Sequence, residues 1–128
     1  NKTVSVPCIG LLDSGNLLTM PLSGNPVHIA DAALLQKLVD EKTVQKEIPY
    51  RALGNPHGKL QVYCMDGMKV ETEPAKFCDW KQVWVGCAEN GVLCNKPYQL
   101  ILHASVADHC GCTKRSIPND KKTEKGET

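Results

Sequence analysis

From Val4 to His103 apolar positions fall in short blocks separated by glycine, proline and asparagine, the pattern of strands joined by turns. Val4 to Leu12 reads as a strand, with Pro7 marking an edge or a bulge. Leu17 to Met20 reads as a second strand, Pro21 to Pro26 as a turn and Val27 to Ile29 as a short strand. One stretch has helical spacing. Leu34, Leu35, Leu38 and Val39 share a face behind Asp31, a candidate N-cap, and predict a scaffold helix ending near Lys42. Ile48 to Leu53 is again extended. Gly54-Asn55-Pro56-His57-Gly58 interrupts it before Lys59 to Met65, and two glycines bracketing a polar loop predict a hairpin tip that can move. Asp66-Gly67 is a strong two-residue turn signal, so Met68 to Glu71 should return as the third strand of a meander. Thr72 to Gln82 carries no clear pattern. Val83 to Gly86 is a short apolar strand closed by glycine, Glu89-Asn90-Gly91 a turn, and Tyr98 to His103 the last clear strand. Periodicity disappears beyond Ala107, and Thr113 to Thr128 is polar and lysine-rich. These boundaries predict one domain over 1–106 and a disordered tail or linker over 107–128.

Length and charge narrow the function. With 128 residues the chain can build one core but not two lobes that each carry an active-site loop. Fifteen Lys and Arg against fourteen Asp and Glu give +1, which does not favour nucleic acid as a partner. No run approaches the roughly 18 to 20 apolar residues that cross a bilayer, and the start does not look like a signal peptide, so the chain as given is expected to be soluble. It opens directly on a strand with nothing to pair it, as a piece of a longer protein would. Seven cysteines cannot close into a complete disulfide set, and Cys8 and Cys64 lie in apolar runs where a thiol acts as a small hydrophobe. A reducing compartment is expected.

The candidate chemistry sits where the first apolar run stops, at Leu11-Leu12-Asp13-Ser14-Gly15-Asn16. An extended segment delivers Asp13 to a turn, Gly15 lets the backbone curl beneath the carboxylate, and Ser14 can make a local hydrogen bond that fixes the loop. Asp-Ser-Gly is also an ordinary turn sequence. One carboxylate cannot do acid and base work alone. Two held close share a proton, so that one activates water while the other polarises the scissile carbonyl, which is aspartic peptidase chemistry. No other aspartate is followed by Ser or Thr and Gly, so a dyad would need Asp13 from a second copy in a two-fold homodimer.

The order of parts, strand into Asp13-Ser14-Gly15, helix, glycine-bracketed hairpin and then Val85-Gly86, resembles the retropepsin-like aspartic peptidases. More closely, Leu11 to Leu18, Pro21 to Val27 and Ile48-Pro49-Tyr50-Arg51-Ala52-Leu53-Gly54 resemble the sporulation sigma-E factor processing peptidases of endospore-forming Firmicutes. The resemblance implies a mainly β, closed barrel-type domain with one short helix and one active-site loop per chain. It implies Asp13 as the catalytic aspartate with Ser14, Gly15 and Asn16 supporting it, residues 54 to 58 as a flap over the substrate groove, and Val85 and Gly86 in the strand under the active site. It also implies a membrane region preceding Asn1 in the parent protein, a catalytic domain on the cytoplasmic side of the membrane, no cofactor, and removal of an N-terminal pro-segment from a sigma factor precursor. Trp84, the cysteines between Cys78 and Cys94 and the lack of a clear helix after Gly86 depart from the family pattern.

Two other readings compete. One keeps the fold as a non-catalytic peptide-binding module. The other is a zinc domain built on Cys110, Cys112, His109 and His103, with Cys87 and Cys94 as further ligands, although the spacing lacks paired Cys-x-x-Cys knuckles. His57 reads as a solvated loop residue and Arg51 as a surface charge or ion pair, rather than as substrate ligands.

Overall fold

The computed structural model of the chain describes residues 4–50, 58–88 and 92–110, with His109 and Cys110 described as backbone alone. Its elements in order are β1 (Gly10–Leu12), β2 (Val27–Ala30), α1 (Ala32–Leu38), β3 (Gln45–Pro49), β4 (Lys59–Glu73), β5 (Lys76–Cys87), β6 (Leu100–Leu102) and α2 (Ser105–Cys110). All six strands join one sheet in the order β1-β6-β2-β5-β4-β3. The fold is mainly β, as expected, but the sheet is open and the expected closed barrel does not form. β1 and β3 stand at opposite edges. β1 is three residues long, while β3 carries Lys46 and Glu47 and ends at Pro49; a short strand and a charged, proline-ended one are features that keep edges from pairing. Two helices are present among the described residues instead of one, and α2 runs across the boundary placed at residue 106.

The expected meander is replaced by one long ribbon. β4 continues straight through Asp66-Gly67, in register with β5 from Val62↔Gly86 to Gly67↔Lys81 and on to the turn after Glu73. That turn forms at Pro74-Ala75, where Ala75 has φ 66° and its N–H donates to Glu71 Oε2 at 2.9 Å. Asp66-Gly67 serves another purpose. Leu60 and Val62 belong to one apolar cluster while Met68 and Val70, at positions of the same parity, belong to the other. Alternation would keep all four on one face, so the ribbon turns over between them. Gly67, where an added Cβ would lie 3.0 Å from the Trp80 carbonyl, and Gln82, at φ 55°, mark the place.

The two clusters lie on opposite faces of β5. Val83 and Val85 pack with Ala30, Leu34, Leu35, Leu100, Leu102 and Val106, which buries the apolar stripe of α1 and a residue of α2. Trp84 packs on the other face against Met20, Val27, Ile48, Leu60 and Val62, so its bulk is absorbed by core. Burial of each such aliphatic side chain is worth about 1.5 to 3 kcal/mol. The helix stops at Leu38 rather than near Lys42 because Asp40 forms a competing turn: its Oδ1 accepts from the Lys42 N–H at 2.8 Å and the Thr43 hydroxyl at 3.2 Å. The Lys42 N–H also holds the Asp40 carboxyl below the usual carboxylate range. Leu17 to Met20 is not a strand of the sheet; it makes a single bridge, Thr19↔Pro26, closing a turn in which Gly24 adopts φ 75°.

Candidate active site

β1 delivers Asp13 to a tight turn. The Gly15 N–H donates to Asp13 Oδ1 at 2.8 Å, and the Asn16 N–H donates to the Asp13 carbonyl at 3.0 Å. A Cβ on Gly15 would sit 3.2 Å from the same Oδ1, which is why a glycine follows at this spacing. Ser14 is exposed. The longer-range anchoring is done by Asn16. Its Nδ2 donates to the Val27 carbonyl at 3.2 Å, its Oδ1 accepts from the Leu18 N–H at 3.2 Å, and its carbonyl accepts from the Ala104 N–H at 2.9 Å. One asparagine thus ties the loop to β2 and to the β6–α2 junction.

The loop opens onto a cavity of about 590 Å³. Asp13, Gly15 and Asn16 line it, together with an apolar surface from Leu18, Ile29, Leu60 and Ile101. Among the described residues of that lining Asp13 is the one carboxylate. Pro49, Tyr50 and Lys59, at the stem of the β3–β4 hairpin, stand at the same cavity, and the stem is closed by the Tyr50 N–H donating to the Gly58 carbonyl at 2.9 Å. Of the residues expected in the flap, Gly58 is placed at this stem; Gly54, Asn55, Pro56 and His57, and Arg51 beside them, lie outside the described residues.

Val85 and Gly86, expected in the strand under the active site, belong to β5, which does not pair with β1. β1 pairs in parallel with β6, Leu12 opposite Leu102, and β5 lies two strands further in, where Val85 is opposite His28 and Gly86 opposite Ile29. Leu100-Ile101-Leu102 lies between β1 and β2, parallel to one and antiparallel to the other. Gly86 still shapes the cavity from below. A Cβ there would come within 2.6 Å of Leu60 Cδ2 and 3.4 Å of Ile29 Cδ1, and both side chains line the cavity.

Two residues that the strand pattern alone did not mark as part of the site lie behind the loop. His28 and His103 are both buried, on β2 and just after β6. The His103 N–H donates to His28 Nδ1 at 2.9 Å, and the Ser105 N–H donates to His103 Nδ1 at 3.0 Å, capping α2. Both Nδ1 atoms therefore carry lone pairs, not protons. Burial, with the neighbouring His103 adding to it, lowers His28 to about 4. The signal in the sequence was a histidine inside the apolar run Val27 to Ile29 and another followed two residues later by serine.

Among the described residues no group of three or more His, Cys, Asp or Glu side chains is arranged to hold a metal. Cys112 and the side chains of His109 and Cys110, on which the zinc reading depends, lie outside that description. Cys64, Cys78, Cys87 and Cys94 are free thiols, and burial pushes the Cys64 and Cys87 thiols up.

Comparison with known proteins supplies the remaining observation. A family model described as Peptidase_U4, sporulation factor SpoIIGA, matches residues 2–106, most of the chain. The chain belongs to the SpoIIGA family. No curated protein and no solved structure matches it. Membership makes this a peptidase domain with a role in sporulation, in agreement with the sigma-E processing family whose motifs run from Leu11 to Gly54. The match takes in the Asp13 loop, both stems of the β3–β4 hairpin and β6, all the elements that border the cavity. No helix among the described residues of this SpoIIGA domain is long and apolar enough to cross a membrane.

Proposed function

We propose that this SpoIIGA domain is an aspartic endopeptidase that works as a two-fold homodimer and removes an N-terminal pro-segment from a sporulation sigma factor precursor. The observation that carries the reading is the carboxylate of Asp13, fixed by Gly15 and Asn16 at the wall of a cavity where it is the single carboxylate among the described lining residues. A symmetric pair brings two Asp13 side chains together. Like charges a few ångströms apart do not both ionise, so the pair holds one proton: the ionised partner takes a proton from water as it attacks, and the protonated partner donates to the carbonyl oxygen. The Gly15 N–H, bonded to Oδ1, fixes which face of each carboxylate is free for this work. The apolar surface of Leu18, Ile29, Leu60 and Ile101 takes side chains of an extended peptide, and the β3–β4 hairpin, whose stem reaches the cavity at Tyr50, covers it and excludes water. In the parent protein a membrane region ahead of Asn1 raises the effective concentration of the two halves.

The test is co-expression of the domain, joined to its native upstream region, with candidate sigma factor precursors. Shortening of a precursor by the wild type but not by Asp13→Ala supports the reading. Intact precursors in the presence of a folded, dimeric domain would transfer support to a non-catalytic peptide-binding module.

A further inference from the structure

Three hydrogen bonds form a closed circuit behind the Asp13 loop. Asn16 Nδ2 donates to the carbonyl of Val27; the next residue, His28, accepts at Nδ1 from the N–H of His103; and the next residue after that, Ala104, donates its N–H to the carbonyl of Asn16. The circuit links the loop, β2 and the β6–α2 junction through positions 11 and 75 residues apart. It closes only if His28 Nδ1 is an acceptor, because the atom facing it is a backbone donor. His103 has the same constraint one step on, where its Nδ1 meets the Ser105 N–H at 3.0 Å and the Ser105 hydroxyl at 2.9 Å. With that nitrogen accepting, the proton of a neutral His103 ring is on Nε2, a buried donor with no partner among the described residues. A buried donor left unpaired is a cost, so what the fold gains from this imidazole lies at Nδ1.

We infer that His28 and His103 are positioning residues for Asp13: their Nδ1 lone pairs fix the β6–α2 junction, and through Ala104 and Asn16 the junction fixes the catalytic loop. Neither ring lines the cavity, so neither touches substrate. The inference rests on Asp13 being catalytic only for its effect on activity; the circuit itself is independent of it. His28 is opposite the apolar Val85 on β5, and among the described residues the titratable group bearing on it is His103 rather than a carboxylate or ammonium.

Asparagine separates this role from bulk packing, because Asn Oδ1 falls where His Nδ1 does and cannot be protonated. The test compares His28→Asn and His103→Asn with His28→Leu and His103→Leu in the 128-residue chain, following backbone amide resonances by NMR, and in the membrane-tethered parent, following precursor cleavage. The Leu variants should displace the Gly15, Asn16 and Ala104 amides while leaving Val62 and Val70 in place, and lower kcat by about tenfold or more with KM little changed, the effect of a catalytic group held slightly out of place. The Asn variants should restore both. If a Leu variant does not fold, Ser105→Ala, which removes only the hydroxyl beside His103 Nδ1, should move the Asn16 and Ala104 amides in a folded chain. Leu variants with undisturbed loop amides, or Asn variants as disturbed as Leu, overturn the inference. A wild-type protein that shows the amide pattern but cuts no precursor overturns the proposed processing of sigma factor precursors and leaves the positioning role standing.

Discussion

β4 and β5 run side by side from Val62↔Gly86 to Glu73↔Lys76, whereas β1, β2 and β6 are three or four residues each and carry the Asp13 loop between them. The ribbon is fixed by a backbone ladder that any sequence of suitable alternation could make. The loop end has few ladder bonds and depends on named side chains: Asn16 reaching Val27 and Leu18, His28 receiving the His103 N–H, His103 capping α2. A ladder tolerates substitution but positions a side chain only to within the sheet's twist. A set of side-chain hydrogen bonds is brittle but fixes one geometry, which the proposed pairing of two Asp13 carboxylates requires. The difference between the two ends is therefore one of purpose, and substitutions at each end should behave differently.

The largest effect is expected at the loop itself. Asp13→Ala should abolish cleavage, a loss on the order of a thousandfold or more, while the melting temperature falls only slightly because the side chain is partly exposed and makes one bond to Gly15. Next comes acid. His28 lies at about 4 in the fold against 6.5 in an unfolded chain, so below 6.5 the unfolded state binds a proton that the fold refuses. Stability should fall as pH drops from 6.5 towards 4, by up to about 3 kcal/mol, and His28→Asn should flatten that fall in denaturant titrations run at each pH. Gly86→Ala forces Leu60 and Ile29 towards the cavity and should cost about 1 to 3 kcal/mol, with a raised KM for peptide. Asn16→Ala loses two side-chain bonds to β2 and the following segment, about 1 to 2 kcal/mol by chemical denaturation, with a fall in kcat larger than that stability loss suggests. The smallest effect belongs to the ribbon. Phe77 is exposed and offers its ring to Lys69 Nζ at 5.3 Å; Phe77→Ala should change stability by less than about 1 kcal/mol and leave cleavage unaltered.

The same contrast separates what the sequence made legible from what it did not. Asp13, Gly15 and the apolar face of α1 were readable because each follows from local rules: a glycine beside a carboxylate, leucines at helical spacing. The hairpin stem at Tyr50 and Gly58 was visible in its paired glycines. Asp66-Gly67 was misread because a turn dipeptide and a twist point ask for the same flexibility, and only the partner strand, with Gln82 opposite, decides between them. The pairing of β1 with Leu100 to Leu102 could not be read from the sequence, because that run has no feature except being apolar. Open rather than closed sheet geometry depends on how two distant edges meet, which periodicity does not encode. His28 was read only as part of a short strand and His103 as a strand end and candidate zinc ligand, because their meaning lies in a contact across 75 residues.

The central claim is that the chain holds half of a catalytic site. It is tested most directly by mixing wild type with Asp13→Ala at constant total protein, allowing the chains to exchange, and measuring precursor cleavage. If each active unit needs Asp13 from two copies, an equal mixture should retain about a quarter of the wild-type rate, the share of dimers in which both chains are intact. Retention of about half, as for chains that act singly, would contradict it.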